Sequence, residues 1–150
     1  MAEQSKKTFF FDKIFIPKSF ESKLELFQLN LIIILWYLAK KDSGKKISFN
    51  LIQMFICDLE YAIRELGVSD LSVGKKIRIL TENFYGRLYA YTECFDKDKK
   101  LEEKLRKNFK FKKINYLKLL NYTERNVNYF KILKIHDFFH LDFEYQNNKI

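Results

Sequence analysis

Two histidines one helical turn apart are the first residues whose type and spacing could support chemistry. His136 and His140 enclose Asp137, Phe138 and Phe139. The spacing imitates the zinc-protease pattern, in which two such histidines bind the metal and a glutamate acts as general base. The shorter side chain of Asp137 reaches a metal-bound water poorly, and no third ligand is evident. We interpret the segment as a helix with two solvated histidines and expect no metal site.

Apart from these histidines, the sequence contains no pattern of residues typical of a catalytic site. We find no Ser/His/Asp arrangement, no phosphate-binding glycine loop and no paired carboxylates, so we expect a non-enzyme with no catalytic residues and no cofactor. Two cysteines, Cys57 and Cys94, are too few for a disulfide framework. Both fall within helical apolar patterns, which predicts buried, inert thiols in a protein of a reducing compartment.

Positive charge is concentrated in residues 97–113. This segment holds nine Lys and Arg against three acids, which is six of the net nine positive charges of the chain. Two explanations stand side by side: compositional drift toward AT-rich codons, or a selected patch for nucleic acid or an anionic membrane. In the second case the candidate contacts are Lys104, Lys107 and Lys110. The interleaved Phe109 and Phe111 also allow an RNA- or ribosome-binding module.

A helix-turn-helix is one interpretation of residues 64–73. Gly67 would occupy the turn, and Ser69 and Val73 would open the recognition helix. The helices of that motif are usually short, whereas the apolar spacing here predicts helices of about twenty and twenty-five residues. The basic segment also lies some twenty-five residues away, so we do not expect DNA binding.

Two glycines lie inside the predicted third helix. Glycine in a helix interior costs about 0.5–1 kcal/mol relative to alanine, so Gly74 and Gly86 predict close approach of a crossing helix. Charged residues flank this junction and can form ion pairs or caps: Arg64, Glu65, Asp70, Lys75 and Arg87. They either lock the two helices together or line a groove for a partner. Arg87 is expected to pair with Asp58, Glu65 or Asp70.

Long helices are favoured by the composition, which has four glycines, one proline and 47% apolar residues. The predicted fold is an all-α bundle of five to six helices, with residues 1–150 as one domain. A first helix, apolar on nearly all sides, begins after Pro17-Lys18-Ser19 and ends at Asp42-Ser43-Gly44. The remaining expected helices are 47–66, closed by Gly67; 70–95, capped by Ser69 or Asp70; a short one with Leu101, Leu105 and Phe109; 114–120; and one from Thr123 to about 139.

Membrane insertion is not indicated by the apolar runs. The longest, residues 31–39, is nine residues, short of the ~20 that span a bilayer. Residues 1–7 lack the features of a signal or transit peptide. We expect a soluble, cytoplasmic protein.

Residues 58–76, followed by Phe84-Tyr85-Gly86-Arg87, resemble the ubiquinol–cytochrome c chaperone family in residue type and spacing. Residues 9–26 resemble that family's aromatic entry, turn and first core helix, and residues 105–109 its Leu-x-x-Asn-aromatic segment. The resemblance covers about residues 9–110, and residues 114–150 form an unmatched helical extension.

The resemblance implies an assembly chaperone of respiratory complex III. Its client is newly made cytochrome b or another membrane subunit, with the ribosome or the anionic inner-membrane surface as further expected partners. It also implies a cytoplasmic position, peripheral on the inner membrane, or the matrix in a mitochondrion. The candidate client groove consists of Asp58, Arg64, Glu65, Asp70, Lys75, Tyr85 and Arg87.

Overall fold

The computed structural model describes residues 2–97, 100–139 and 144–147. Helices and connecting turns, without a strand, make up these ranges, so the predicted all-α class is confirmed. Five helices have eight residues or more, which agrees closely with the expected five to six. In chain order the helices are α1 (Ala2–Ser5), α2 (Thr8–Asp12), α3 (Phe20–Ala39), α4 (Gly44–Glu65), α5 (Asp70–Lys97), α6 (Leu101–Asn108), α7 (Tyr116–Ile132) and α8 (Ile135–Phe139).

Helix α3 is the central element of the fold. Ser19 caps its N-terminus, with its hydroxyl accepting a hydrogen bond from the Ser22 N–H at 3.3 Å. Residues 31–38 are buried without a break, and α1, α4, α5 and α7 all pack against this helix. By length and composition alone α3 could cross a membrane, yet 78% of its apolar window is buried inside the protein. These are the properties of a core helix.

Helices α4 and α5 form a hairpin that packs on α3. Gly67 in the connecting turn adopts a left-handed φ of +81°, and its N–H donates to the Arg64 carbonyl at 2.9 Å, as expected for a glycine that ends a helix. An aromatic series joins the three helices. The Phe55 ring lies 5.4 Å from that of Phe27 on α3 and 4.9 Å from that of Phe84 on α5. Burial of a ring as complete as that of Phe55 or Phe84 contributes about 1.5–3 kcal/mol.

Helix α6 contacts both α5 and α7 and so connects the hairpin to the C-terminal part of the chain. Leu105 and Phe109 are fully buried at this junction. The sequence predicted separate helices for 114–120 and from Thr123 onward, which is wrong because α7 runs through both segments. The Thr123 hydroxyl donates to the Leu119 carbonyl one turn earlier at 2.8 Å, so this polar residue is accommodated inside the helix.

A buried polar network ties both ends of the described chain to the core. The Tyr122 hydroxyl accepts from the Gln4 amide at 3.0 Å and donates to the Asn30 side-chain oxygen at 2.6 Å. The Tyr145 hydroxyl donates to the backbone carbonyl of Asn30 at 2.8 Å. Burial raises the pKa of both tyrosines, so they stay neutral donors. Helix α1 and residues 144–147 are thereby fastened to α3 and α7.

Two local predictions are wrong. Gly44 was expected to end the first helix; instead it begins α4 and is buried, and a Cβ there would overlap the backbone carbonyl of Leu38. Cys94 is buried as predicted, but Cys57 is exposed on α4. Cys57 is two residues from both Phe55 and Leu59. Two residues of helix rotate the side chain by about 200°, so Cys57 points away from the apolar stripe to which Phe55 and Leu59 belong.

Candidate functional site

The turn between α4 and α5 is stabilised by a charged cluster around Arg64. Its Nε and Nη2 donate to the Glu60 carboxylate at 3.0 and 2.8 Å, and its Nη1 pairs with Asp70 in the first turn of α5. Asp70 lies where the positive end of the α5 dipole favours an anion. All three side chains are exposed or half-exposed, so water screens these ion pairs and each contributes little to stability. Arg64 and Asp70 therefore hold the turn.

The seven residues of the predicted client groove do not form one groove. Asp58, Glu65 and Lys75 are exposed. Tyr85 and Arg87 project to opposite sides of α5, because two residues of helix rotate the side chain by about 200°. Tyr85 lies half-exposed with its ring against Phe84, at 5.7 Å, whereas Arg87 turns toward α3 and α6.

The prediction of close helix packing at Gly74 and Gly86 is wrong. Both glycines are exposed, and a Cβ at either position would meet nothing within 4 Å. Twelve residues correspond to 3.3 turns, which leaves the two positions about 120° apart rather than on one face. Gly86 opens instead onto a cleft.

Most of the exposed large apolar side chains among the described residues belong to the α4–α5 hairpin. Eleven large apolar side chains are exposed among the described residues, and eight of them belong to this hairpin. Leu71 in the first turn of α5 is 98% exposed. We call this set the hairpin face: Phe49, Met54, Tyr61, Leu66, Leu71, Ile79, Tyr85 and Tyr89. Exposed apolar side chains concentrated on one element are typical of surfaces that bind another protein.

A small apolar cavity of about 420 Å³ opens between α3 and the hairpin. Ile52 of α4 and Leu88 of α5 form its sides, and Leu35 and Trp36 of α3 form its base. Asp96 lies at its edge, where it accepts from Trp36 Nε1 at 3.0 Å and from Lys40 Nζ at 2.6 Å. These hydrogen bonds hold the pKa of Asp96 below its usual range. The cavity shares no lining residue with the hairpin face.

A second cleft, of about 430 Å³, separates α5 from α6. It brings together Arg87 and the three lysines predicted as anionic-surface contacts, which the sequence had placed in different sites. The sequence did not single out the polar residues that complete it. Its lining consists of Glu82, Asn83, Gly86, Arg87, Ala90, Lys104, Lys107, Asn108 and Lys110.

Arg87 pairs with Glu25 of α3, and the prediction of Asp58, Glu65 or Asp70 as its partner is wrong. Its Nε donates to Glu25 Oε2 at 2.8 Å, and Nη2 binds the second carboxylate oxygen. The Arg87 and Glu25 side chains are only 18% and 12% exposed. Burial raises the pKa of the Glu25 carboxyl above its ordinary value, and the guanidinium opposes this shift only in part. Nothing in the local sequence signals this partner, because α3 and α5 meet only in the folded chain.

The two remaining predicted features are the pair of histidines and the two phenylalanines of the basic segment. His136 is exposed on α8, whereas His140 lies outside the described residues, and the described part of the chain contains no cluster of three or more metal-ligating side chains. Phe109, which the sequence assigned with Phe111 to a candidate RNA- or ribosome-binding module, is fully buried and does not present its ring to a partner. Phe111 is half-buried, with its ring edge-on to Phe109 at 6.5 Å.

The described residues thus define a class of protein: an all-α helical protein with exposed apolar side chains on one hairpin and a cleft lined by lysines. The family model of the ubiquinol–cytochrome C chaperones matches residues 12–145, and the chain belongs to that family. The match extends past residue 110, where the sequence resemblance ended. Family membership implies a non-enzymatic assembly factor and supports a role in the assembly of respiratory complex III.

The fold is also that of a solved structure. The chain is similar to the crystal structure of the Cbp3 homolog from Brucella abortus, with a TM-score of 0.86 and 19% sequence identity. The superposition covers 97% of this chain and 84% of the other. No curated protein sequence matches the chain.

Proposed function

We propose that the protein is a complex III assembly chaperone that binds newly made cytochrome b through the hairpin face. The observation that carries this proposal is the concentration of exposed apolar side chains on α4, α5 and their turn. A membrane subunit that has not yet met its partners exposes apolar helix surface, and an apolar helical face on the chaperone would cover it.

The chemistry of the hairpin face suits a transient hold. Tyr61, Tyr85 and Tyr89 combine an apolar ring with a hydroxyl that hydrogen-bonds water once the client leaves. Met54 adds an unbranched side chain that adapts to irregular surfaces. Because these side chains extend from two long helices anchored on α3, the face is presented without rearrangement of the core.

The experiment compares two variants with the wild-type chain in a strain that lacks the gene. The first variant, Tyr61→Ser, Leu71→Ser and Tyr89→Ser, removes the three most exposed side chains of the hairpin face. The second, Leu117→Ser and Ile132→Ser, is a matched control, because these apolar side chains of α7 are also exposed, at 65% and 81%. All five changes lie at the surface, so each should alter the free energy of unfolding by no more than about 0.5 kcal/mol.

We expect the hairpin variant to lose co-purification with newly made cytochrome b and to leave assembled complex III low, while the control restores both to wild-type levels. Other respiratory complexes should stay normal in every strain. Full complex III assembly with the hairpin variant, or an equal loss with the α7 variant, would overturn the proposed site. Normal complex III in the deletion strain would overturn the function itself.

A further inference from the structure

We propose that the α5–α6 cleft binds the phosphate of an anionic phospholipid and so holds the protein against a membrane surface. Lys104, Lys107 and Lys110 line this cleft, which encloses about 430 Å³. None of the three takes part in the ion pairs formed among the described residues. Glu93, the acid near Lys104, pairs with Lys97 at 2.9 Å. Three positive charges around one opening, without an ion pair among the described residues, attract a phosphate.

The acidic side chain in the cleft does not neutralise these lysines. Glu82 accepts from Arg78 Nε at 3.0 Å, one turn earlier on α5. Arg87 is in turn held by Glu25 at the base of the cleft. The charged residues on the α5 side are therefore satisfied within the protein, and the free positive charge comes from the α6 side.

Gly86 provides the room for a ligand. It lines the cleft on the α5 side, and a Cβ at this position would meet nothing within 4 Å. The side-chain amides of Asn83 and Asn108 also line the cleft; the Asn108 amide donates to the Tyr91 hydroxyl at 3.0 Å. A phosphate can thus enter between α5 and α6 without displacing a side chain from α5.

The surroundings favour a lipid over a nucleic acid. No aromatic ring lines the cleft, and Phe109 beside it is fully buried, so the stacking platform on which single-stranded RNA recognition depends is missing among the described residues. Tyr89, one helical turn after Gly86, is 72% exposed. Tyrosine is enriched at the level of lipid headgroups, where its ring and hydroxyl meet apolar and aqueous surroundings.

Vesicle co-sedimentation of the full chain tests this inference independently of the proposed function, because the vesicles contain no client. We expect binding to phosphatidylglycerol vesicles at low salt and none to phosphatidylcholine vesicles. Lys104→Ala, Lys107→Ala and Lys110→Ala together should weaken partitioning onto phosphatidylglycerol roughly a hundredfold. A control with Lys45→Ala, Lys46→Ala and Lys134→Ala removes the same charge from exposed positions outside the cleft, and it should change partitioning less than tenfold.

The Gly86→Leu variant distinguishes lipid binding in the cleft from lipid binding by surface charge in general, because it fills the cleft and leaves the net charge unchanged. We expect it to weaken binding to phosphatidylglycerol while the circular-dichroism spectrum stays that of the wild type. Equal losses in the cleft and control lysine variants, or full binding by Gly86→Leu, would overturn the site. A cleft variant that loses binding to single-stranded RNA but keeps vesicle binding would overturn the lipid as its ligand.

Discussion

Arg87 and Glu25, separated by 62 positions in the sequence, form a largely buried ion pair that joins α5 to α3 beneath the basic cleft. The pKa of Glu25 is raised even though a guanidinium lies beside it. Burial is the larger influence on this pKa and disfavours the charged carboxylate, whereas the guanidinium favours it; both effects are common in buried salt bridges. The pair gives α3 and α5 a specific alignment at the base of the cleft.

Arg87→Ala should lower the free energy of unfolding by about 3 kcal/mol, the lower end of the range for a buried pair, since it leaves the largely buried Glu25 carboxylate without its partner. The double variant Glu25→Leu with Arg87→Met should recover most of this loss, because it removes both charges and keeps apolar volume. Urea denaturation at neutral pH measures all three proteins. Arg78→Ala is the control: its pair with Glu82 is exposed, so a change below about 0.5 kcal/mol is expected. An equal loss at both arginines would contradict the prediction.

The pH dependence of stability should carry the signature of Glu25. Its pKa is higher in the folded chain than the ordinary value of 4.5, so the folded protein holds the proton more tightly than the unfolded one. Tighter proton binding by Glu25 therefore adds to the free energy of unfolding. This stabilisation is fully present below the ordinary pKa and is lost as the pH rises through the raised pKa. Unfolding curves of wild type and Glu25→Gln, compared across that range, measure it. A difference in the free energy of unfolding between the two proteins that does not change with pH would contradict this role of Glu25.

Alanine substitutions at Gly74 and Gly86 should change the stability of the protein in the opposite direction to the same substitution at Gly44. Gly74→Ala and Gly86→Ala should each stabilise the protein by about 0.5–1 kcal/mol, because both positions are helical with open space around them. Gly44→Ala should destabilise it strongly, since the new Cβ overlaps the Leu38 carbonyl and the backbone must shift. Melting temperatures of the three variants decide the matter. A Gly86→Ala variant that is less stable than the wild type would indicate close helix packing at Gly86 and would contradict this prediction.

Tyr122→Phe should destabilise the protein by about 1–3 kcal/mol. The change removes the hydroxyl that donates to Asn30 and accepts from Gln4, leaving the buried Asn30 oxygen without this donor. Because Gln4 lies on α1, the N-terminal turn should also exchange its amide hydrogens faster. Hydrogen exchange and urea denaturation measure the two effects. Tyr129→Phe, at a half-buried position on the same helix, is the control and should leave both values near those of the wild type.

The helices were predictable because each is encoded by its own segment of the chain. Apolar spacing placed α3, α4, α5 and α6 near their observed positions, and Gly67 marked the end of α4 correctly. The break predicted before Thr123 failed, because this residue is buried in α7 and its hydroxyl donates to the Leu119 carbonyl of the same helix. The block of residues 58–87 indicated the family, which the match over residues 12–145 then established.

The sites depended on contacts between segments far apart in the chain. The sequence determined that Lys104, Lys107 and Lys110 lie near one another, but only the packing of α6 on α5 placed them opposite Gly86. It determined that Arg87 needs an acid, but the partner came from α3 rather than from the acids near the turn. Helical periodicity is a local property, whereas the choice of ion-pair partner and the shape of a cleft follow from how whole helices are arranged around α3.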